Sequence, residues 1–185
     1  MANTNSNGAS LKNILKVPDI QKRLLFTFLI LVVVRFGTQI PIPGVSRDVF
    51  ASWFANQSNG AMDLFDMMTG GSFSQMSIFA LSITPYITAS IIVQLLTIAF
   101  PYFENLAKEG MEGRKKMAQI TRYMTVVLAL IQAIGLTVGL FRQAVVDKSA
   151  FSVIVVILVL TAGTAFLMWL GEQINDRGIG NGISL

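Results

Sequence analysis

The chain has 185 residues, of which 53% are hydrophobic and only 13% are charged. Soluble domains carry about 25% charged residues, so this composition indicates an integral membrane protein. The sequence contains neither cysteine nor histidine, which excludes disulfides, thiolate metal sites and catalysis by Cys or His within it. The formal net charge of +4 comes from basic residues at the ends of apolar segments. It therefore indicates loop placement and not nucleic-acid binding.

The chain opens with a polar segment and reaches its first apolar span at Leu24. Residues 1–23 include a short amphipathic stretch from Ser10, which predicts a cytoplasmic segment with an interfacial helix, although a flexible basic tail remains an alternative. The first span runs to Ile40 and is ended by the turn Pro41–Gly44. It is too long for the apolar region of a signal peptide, and no small-residue cleavage site follows it. We therefore expect it to remain in the mature protein.

The rest of the chain is organised around the apolar run from Met76 to Phe100, which is long enough to cross a bilayer. Polar side chains recur along one face of this run, at Ser82, Tyr86, Ser90, Gln94 and Thr97. A row of branched apolar side chains lies beside them, at Ile83, Ile87, Ile91, Leu95 and Ile98.

This polar stripe favours a helix that faces protein or water, because polar groups are costly against lipid tails. A packed membrane helix whose hydroxyls bond to its neighbours would give the same pattern. Pro85 has no N–H to donate to the carbonyl of Leu81, so it predicts a bend within the helix.

The stretch just before this run, residues 61–74, interleaves apolar and polar side chains and is too short to span a membrane. Gly70 and Gly71 break any helix here. The pattern favours a short half-helix that dips into a protein-lined cavity, although an amphipathic surface turn remains an alternative.

Two more apolar spans follow. The third carries Gly135 and Gly139 at a spacing that lets a neighbouring helix approach closely. The fourth has a small-residue centre around Gly163 and ends near Trp169, a typical interface residue. The GIGNG sequence that begins at Gly178 follows no strand and lacks a Lys-Ser/Thr ending, so it does not indicate a phosphate-binding loop.

The positive charges define the topology. The N-terminal segment carries four Lys or Arg and the 101–122 stretch carries five, whereas the other loops carry one or two each. Both basic segments belong on the cytoplasmic side, which requires that residues 61–100 contain one full crossing. The predicted layout is a cytoplasmic segment 1–23, a first span 24–40, an external loop 41–61, a re-entrant half-helix 62–74, a second span 76–100, a cytoplasmic loop 101–117, a third span 118–141, an external loop 142–150, a fourth span 151–171, a cytoplasmic loop 172–182 and the start of a fifth span at 183–185.

Two stretches carry a family resemblance: SIFALSITPYITASIIVQLL at 77–96 and WLGEQINDRGIGNGISL at 169–185. Both resemble signature segments of SecY, the channel subunit of the Sec protein-conducting translocon. IPIPGV after the first span and GRKK before the third add to the resemblance. Ser82 departs from it, because the family usually has glycine there.

The resemblance implies an all-α integral membrane fold, a multi-span helical bundle with a re-entrant plug half-helix. The chain would form the N-terminal half of a clamshell of two five-helix halves, covering spans one to four and the start of the fifth. Ile83 and Ile87 would contribute to the hydrophobic pore ring. The lateral gate, where signal sequences dock, would include Thr88, Ile91, Ile92 and Gln94. The plug that closes the external funnel would include Met62, Leu64, Phe65, Met67, Met68, Gly70, Gly71 and Phe73.

The implied function is a gated channel that secretes unfolded preproteins and releases membrane segments sideways. The SecA motor ATPase or the ribosome would supply the energy, so no catalysis, cofactor or metal is expected in this chain. The implied partners are the small membrane subunits SecE and SecG, signal peptides, nascent preproteins and the lipid bilayer. The implied location is the plasma membrane of a bacterium, as a multi-pass protein with a cytoplasmic N-terminus.

Two other functions stay open from the residues themselves. A fragment of a secondary transporter with a discontinuous helix at 61–100 would fit the broken pattern. Its polar stripe offers only hydroxyls and one amide, without a buried acid to couple ions. A membrane-embedded hydrolase would need more than Asp63 and Asp66, because no span holds a second acidic pair.

Overall fold

The computed structural model describes residues 17–57, 60–139 and 149–182. The chain in these ranges is all-α, as the sequence predicts. Its helices are α1 (Pro18–Gly37), α2 (Arg47–Gln57), α3 (Ala61–Met68), α4 (Thr84–Ala99), α5 (Pro101–Lys108), α6 (Met111–Gly139) and α7 (Ala150–Arg177).

Within the described ranges, α6 and α7 are long and apolar enough to cross a membrane. A third crossing results if α4 and α5, which meet at a bend of 102°, are counted as one broken span. Helix α1 is apolar through its middle but carries Asp19, Lys22, Arg23 and Arg35 near its ends. Its 20 residues therefore offer a shorter uncharged stretch than α6 or α7.

The start of the second span differs most from the sequence-based prediction. Helix α4 begins only at Thr84, and residues 69–83 form a series of turns, so the prediction of one helix over 76–100 is wrong. Pro85 lies in the first turn of α4 and does not bend it. Proline is favoured there, because its fixed φ suits a helix start and the N–H it lacks would have no partner within the helix.

The predicted cytoplasmic loop 101–117 is also mostly helical. Helix α5 starts at Pro101, α6 starts at Met111, and only Glu109 and Gly110 separate the two helices. Gly113 makes this elbow possible, because a Cβ added there would lie 1.8 Å from the carbonyl oxygen of Leu106. Charge along the elbow is partly paired, with Glu104 bonded to Lys108 and Glu109 3.7 Å from Lys116.

Other boundaries shift by a few residues. Helix α1 starts before the predicted first span and ends before Ile40, helix α2 lies inside the predicted external loop, and α7 continues to Arg177. The predicted interfacial helix after Ser10 and the fifth-span start at 183–185 lie outside the described residues, as does nearly all of the 142–150 loop.

The chain divides into two compact units. The larger unit contains residues 36–168, and its core is formed by Ile42, Phe50, Phe73, Met76, Ala80, Leu81, Ala133, Val156 and Leu160. The smaller unit combines the chain up to Arg35 with the chain from Trp169, and its core is formed by Ile30, Leu170 and Ile174.

Candidate functional site

Helix α4 has two different faces. Pro85, Ala89 and Val93 are buried on one side of α4, and the helix packs along α6. On the exposed side lies the row predicted from the sequence, in which Ile87 is 42% exposed and Ile98 is 85% exposed. Within the described part of the chain, the row from Ile87 to Ile98 is therefore an exposed apolar stripe along α4.

Helix α6 buries a seam of small side chains spaced four residues apart, at Thr121, Thr125, Ala129, Ala133 and Thr137. Such a spacing keeps the seam on one side of the helix. The close helix approach predicted at Gly135 and Gly139 is not seen, because no described atom lies within 4 Å of a Cβ added at either position.

Three hydroxyls of α4, those of Thr88, Ser90 and Thr97, bond to the helix itself. Ser90 Oγ donates to the Ile87 carbonyl at 3.1 Å, and Thr97 Oγ1 donates to the Val93 carbonyl at 2.8 Å. Because the helix satisfies these hydroxyls without a partner, they do not require a water-filled or protein-lined surface. The apolar row is the more informative feature of α4.

Ile83 and Ile87 lie one turn apart where α4 begins. Ile83 is the residue just before the helix, and the N–H of Ile87 donates to its carbonyl at 3.1 Å. Ser82, immediately before them, has a left-handed backbone with φ of +53°. Glycine adopts this conformation without the steric cost that other residues incur.

The residues assigned to the lateral gate are spread around α4. Ile91 and Gln94 are exposed, whereas Thr88 and Ile92 are half-buried. Thr88 Oγ1 donates to the Thr84 carbonyl at 3.0 Å. Only part of this set therefore lies on the uncovered face.

The residues assigned to the plug fall into two groups. Leu64, Met67 and Met68 on α3 are strongly exposed, at 63%, 77% and 82%. Phe73, by contrast, is buried in the core of the larger unit against the rings of Phe50 and Phe54, at centroid distances of 5.4 and 6.1 Å. The side chains of Met62 and Phe65 lie outside the described part of the chain.

A tight turn joins the exposed and the buried group. Gly70 and Gly71 both have positive φ, at 66° and 78°. The Asp66 carbonyl accepts from the Gly71 N–H at 2.9 Å, and Asp66 Oδ1 accepts from the Ser74 N–H at 2.8 Å. The turn is thus closed by the helix that precedes it, a role for Asp66 that the sequence pattern did not reveal.

The turns of residues 69–83 are held by the chain that follows α1. The Ile42 N–H donates to the Met76 carbonyl at 2.9 Å, and Pro41 pairs with Ser77 in an isolated antiparallel bridge. Phe79 lies against Gly37 and stacks on Phe166 of α7 at a centroid distance of 6.2 Å. These contacts set the point from which α4 starts, and with it the position of the isoleucine pair.

The glycine-rich end of the described chain is anchored within the smaller unit. The Ile179 N–H donates to Thr27 Oγ1 at 3.1 Å, and the Gly182 N–H donates to Asn175 Oδ1 at 2.7 Å. These backbone N–H groups bond to protein side chains, so they form no open phosphate cradle.

Together, the helices, the exposed apolar row and the short half-helix define an all-α membrane protein with an irregular segment packed between helices. A family model described as SecY matches residues 77–185, which is more than half of the chain. The chain therefore belongs to the SecY family.

Relatives in bacteria agree with this membership. The chain is 50% identical over 168 residues to the protein translocase subunit SecY of Pseudomonas aeruginosa strain PAO1, covering 90% of this chain and 38% of the relative. It is 48% identical over 181 residues to that of Bacillus subtilis strain 168, covering 95% and 41%. The chain thus spans about 40% of the length of these curated relatives.

Solved structures share the fold. The structure of a protein conducting channel and that of Sec61 in the canine ribosome-channel complex from the endoplasmic reticulum each match with a TM-score of 0.63 at 21% identity. Each match covers 90% of this chain and 35% of the solved chain.

Proposed function

We propose that the chain supplies the N-terminal half of a gated protein-conducting channel, which secretes unfolded preproteins and releases membrane segments into the bilayer. The observation that carries the proposal is the 50% identity to a SecY translocase subunit over 90% of the chain. In this proposal the chain is a conduit and not an enzyme, because passage of an extended polypeptide needs a shaped opening and an external motor.

The pore ring is proposed at Ile83 and Ile87. Two branched apolar side chains one turn apart form a constriction that resists wetting, so ions are held back without a charged filter. The ring can widen, because apolar side chains make no directional bonds with a passing chain. Support comes from the exposure of Ile87 on α4.

The plug is proposed to be α3 with the turn that follows it. Leu64, Met67 and Met68 present apolar surface that a helix of a soluble globular protein would bury against the core. Opposite the isoleucine ring this surface would be covered in the closed channel. The lateral gate is proposed along Thr88, Ile91, Ile92 and Gln94. Of these, Ile91 and Gln94 are exposed on α4 and can meet an apolar signal sequence.

The proposed location is the plasma membrane of a bacterium, with the N-terminus in the cytoplasm. Support comes from the bacterial relatives and from the basic elbow of α5 and α6, which positive-inside placement assigns to the cytoplasm. The proposed partners are SecE, SecG, the SecA ATPase or the ribosome, together with signal peptides, preproteins and lipid. Membership of the SecY family leaves the transporter alternative without support.

The test is transport by a full-length channel that carries this sequence. The complex is reconstituted in vesicles with a motor ATPase and a preprotein, and protease protection measures translocation. We expect ATP-dependent protection of a preprotein with a signal peptide and none for the same chain without it. Equal protection of both chains, or of neither, would contradict the proposal.

A further inference from the structure

Asp66 contacts both sides of the glycine turn that follows α3. Its backbone carbonyl accepts from the Gly71 N–H at 2.9 Å and from the Thr69 hydroxyl at 3.0 Å. Its carboxylate accepts from the Ser74 N–H at 2.8 Å. A single side chain thus ties the exposed half-helix to the segment beyond Gly70.

The segment beyond the turn is fixed. Phe73 is 1% exposed and meets the Phe50 ring edge-on, and Ser72 is 1% exposed. Of the described side chains of α3, Leu64, Met67 and Met68 are exposed and are not held by the core in this way. The described bonds that join α3 to the anchored segment run across Gly70 and Gly71.

Two consecutive glycines define no direction by themselves, because glycine adopts many backbone conformations at similar cost. The bond from the Ser74 N–H to the Asp66 carboxylate is charge-assisted, and such bonds are roughly twice as strong as neutral ones. Of the contacts described at this turn, it is the one that joins an acidic side chain of the half-helix to the anchored segment.

We propose that Asp66 is a positioning residue that latches the plug in its closed direction through the Ser74 N–H. When this bond opens, α3 swings about Gly70 and Gly71 while Phe73 stays in the aromatic cluster with Phe50 and Phe54. The inference rests on the proposed function, in which α3 closes the channel.

The test compares three substitutions in a full-length, cysteine-free channel. Asp66→Ala removes the acceptor, Asp66→Asn keeps a neutral acceptor, and Asp63→Ala removes an exposed acid one turn earlier on the same helix. Resting ion conductance of vesicles and thiol labelling of Met67→Cys report the plug position. We expect Asp66→Ala to raise the resting conductance and the labelling rate roughly tenfold or more. Asp66→Asn should raise them less, and Asp63→Ala should leave both unchanged.

Deletion of residues 62–69 separates the two ideas. If the deletion leaves the resting conductance unchanged, the plug assignment fails. If the deletion variant raises the resting conductance but Asp66→Ala has the conductance of the unmodified channel, the latch is overturned and the plug assignment stands. Equal effects of Asp66→Ala and Asp63→Ala would also overturn the latch, because loss of charge alone would then explain them.

A measurement on the unmodified channel covers the case in which Asp66→Ala does not assemble. Hydrogen exchange at the Ser74 amide reports the bond directly. We expect slow exchange in the resting channel and exchange roughly tenfold faster or more with an engaged preprotein. The same rate in both states would overturn the latch.

Discussion

The carbonyl of Ile78 lies directly against Gly163 of α7, where an added Cβ would come within 2.1 Å of the carbonyl oxygen. The small residue in the middle of α7 therefore makes room for the backbone that precedes α4. Phe79 also stacks on Phe166. The irregular segment of residues 69–83 therefore packs against helix α7 at two successive residues, Ile78 and Phe79.

Gly163→Ala should therefore destabilise the channel. The contact is with backbone, which cannot move aside as a flexible side chain can, and overpacking of this kind costs about 1–3 kcal/mol. The measurement is the midpoint of thermal unfolding of the full-length protein in detergent. Gly135→Ala is the matched control, because open space surrounds that position and alanine favours a helix by about 1 kcal/mol. An equal loss of stability in both variants would contradict the packing role of Gly163.

The irregular segment also shows what the sequence could and could not predict. Gly70 and Gly71 do end a helix, as their lack of a side chain suggests. Residues 76–83 continue the apolar pattern of α4 but are not helical. The Met76 carbonyl and the Ile78 N–H bond to the chain at Ile42 and Ile40, and the Ala80 and Ser82 N–H groups close local turns. No local pattern distinguishes a proline that bends a helix from one that starts it, and Pro85 is the latter.

Elements outside the apolar spans were missed for a related reason. Helix α2 turns Phe50 and Phe54 toward Phe73 from within a polar stretch. Such a short helix is stabilised by its tertiary contacts more than by its own sequence. The isoleucine row of α4, in contrast, was predictable, since its spacing alone places the residues on one face and the structure leaves that face exposed.

Ser82→Gly should stabilise the channel. Ser82 has φ of +53°, a conformation that costs a residue with a Cβ roughly 1–2 kcal/mol and costs glycine much less. Greater freedom of glycine in the unfolded chain offsets part of the gain, so we expect about 1 kcal/mol or less, seen as a higher unfolding midpoint. Ser90→Gly is the control, because Ser90 lies within α4 and glycine there should cost about 1 kcal/mol. A lower midpoint for Ser82→Gly would show that its side chain outweighs the backbone strain.

Single cysteines should report opposite sides of the membrane at Asn56 on α2 and Lys108 on α5. Both residues are exposed, and this chain contains no cysteine of its own. In sealed vesicles of known orientation, an impermeant thiol reagent should label Asn56→Cys from the external side and Lys108→Cys only after the membrane is opened. Labelling of both from the same side would contradict the positive-inside layout.

Ile87→Asn should raise the resting ion conductance of the full-length channel. Ile87 stands one turn from Ile83 at the start of α4, where the ring is proposed, and a polar amide there stabilises water in a neck that branched apolar groups keep dry. The helix should still insert, because the substitution changes one position of an otherwise apolar face. Passage of preproteins with poor signal sequences should also become easier, because a wetted neck opens more readily.

Ile98→Asn is the matched control for this prediction, since it makes the same substitution on the same row of α4. Ile98 lies three turns further along and is 85% exposed, against 42% for Ile87. An amide there lies away from the proposed ring, so the conductance of reconstituted vesicles without substrate should stay near that of the unmodified channel. If both variants raise the resting conductance equally, or if Ile87→Asn does not raise it above that of the unmodified channel, the row packs against another surface. The constriction must then lie elsewhere.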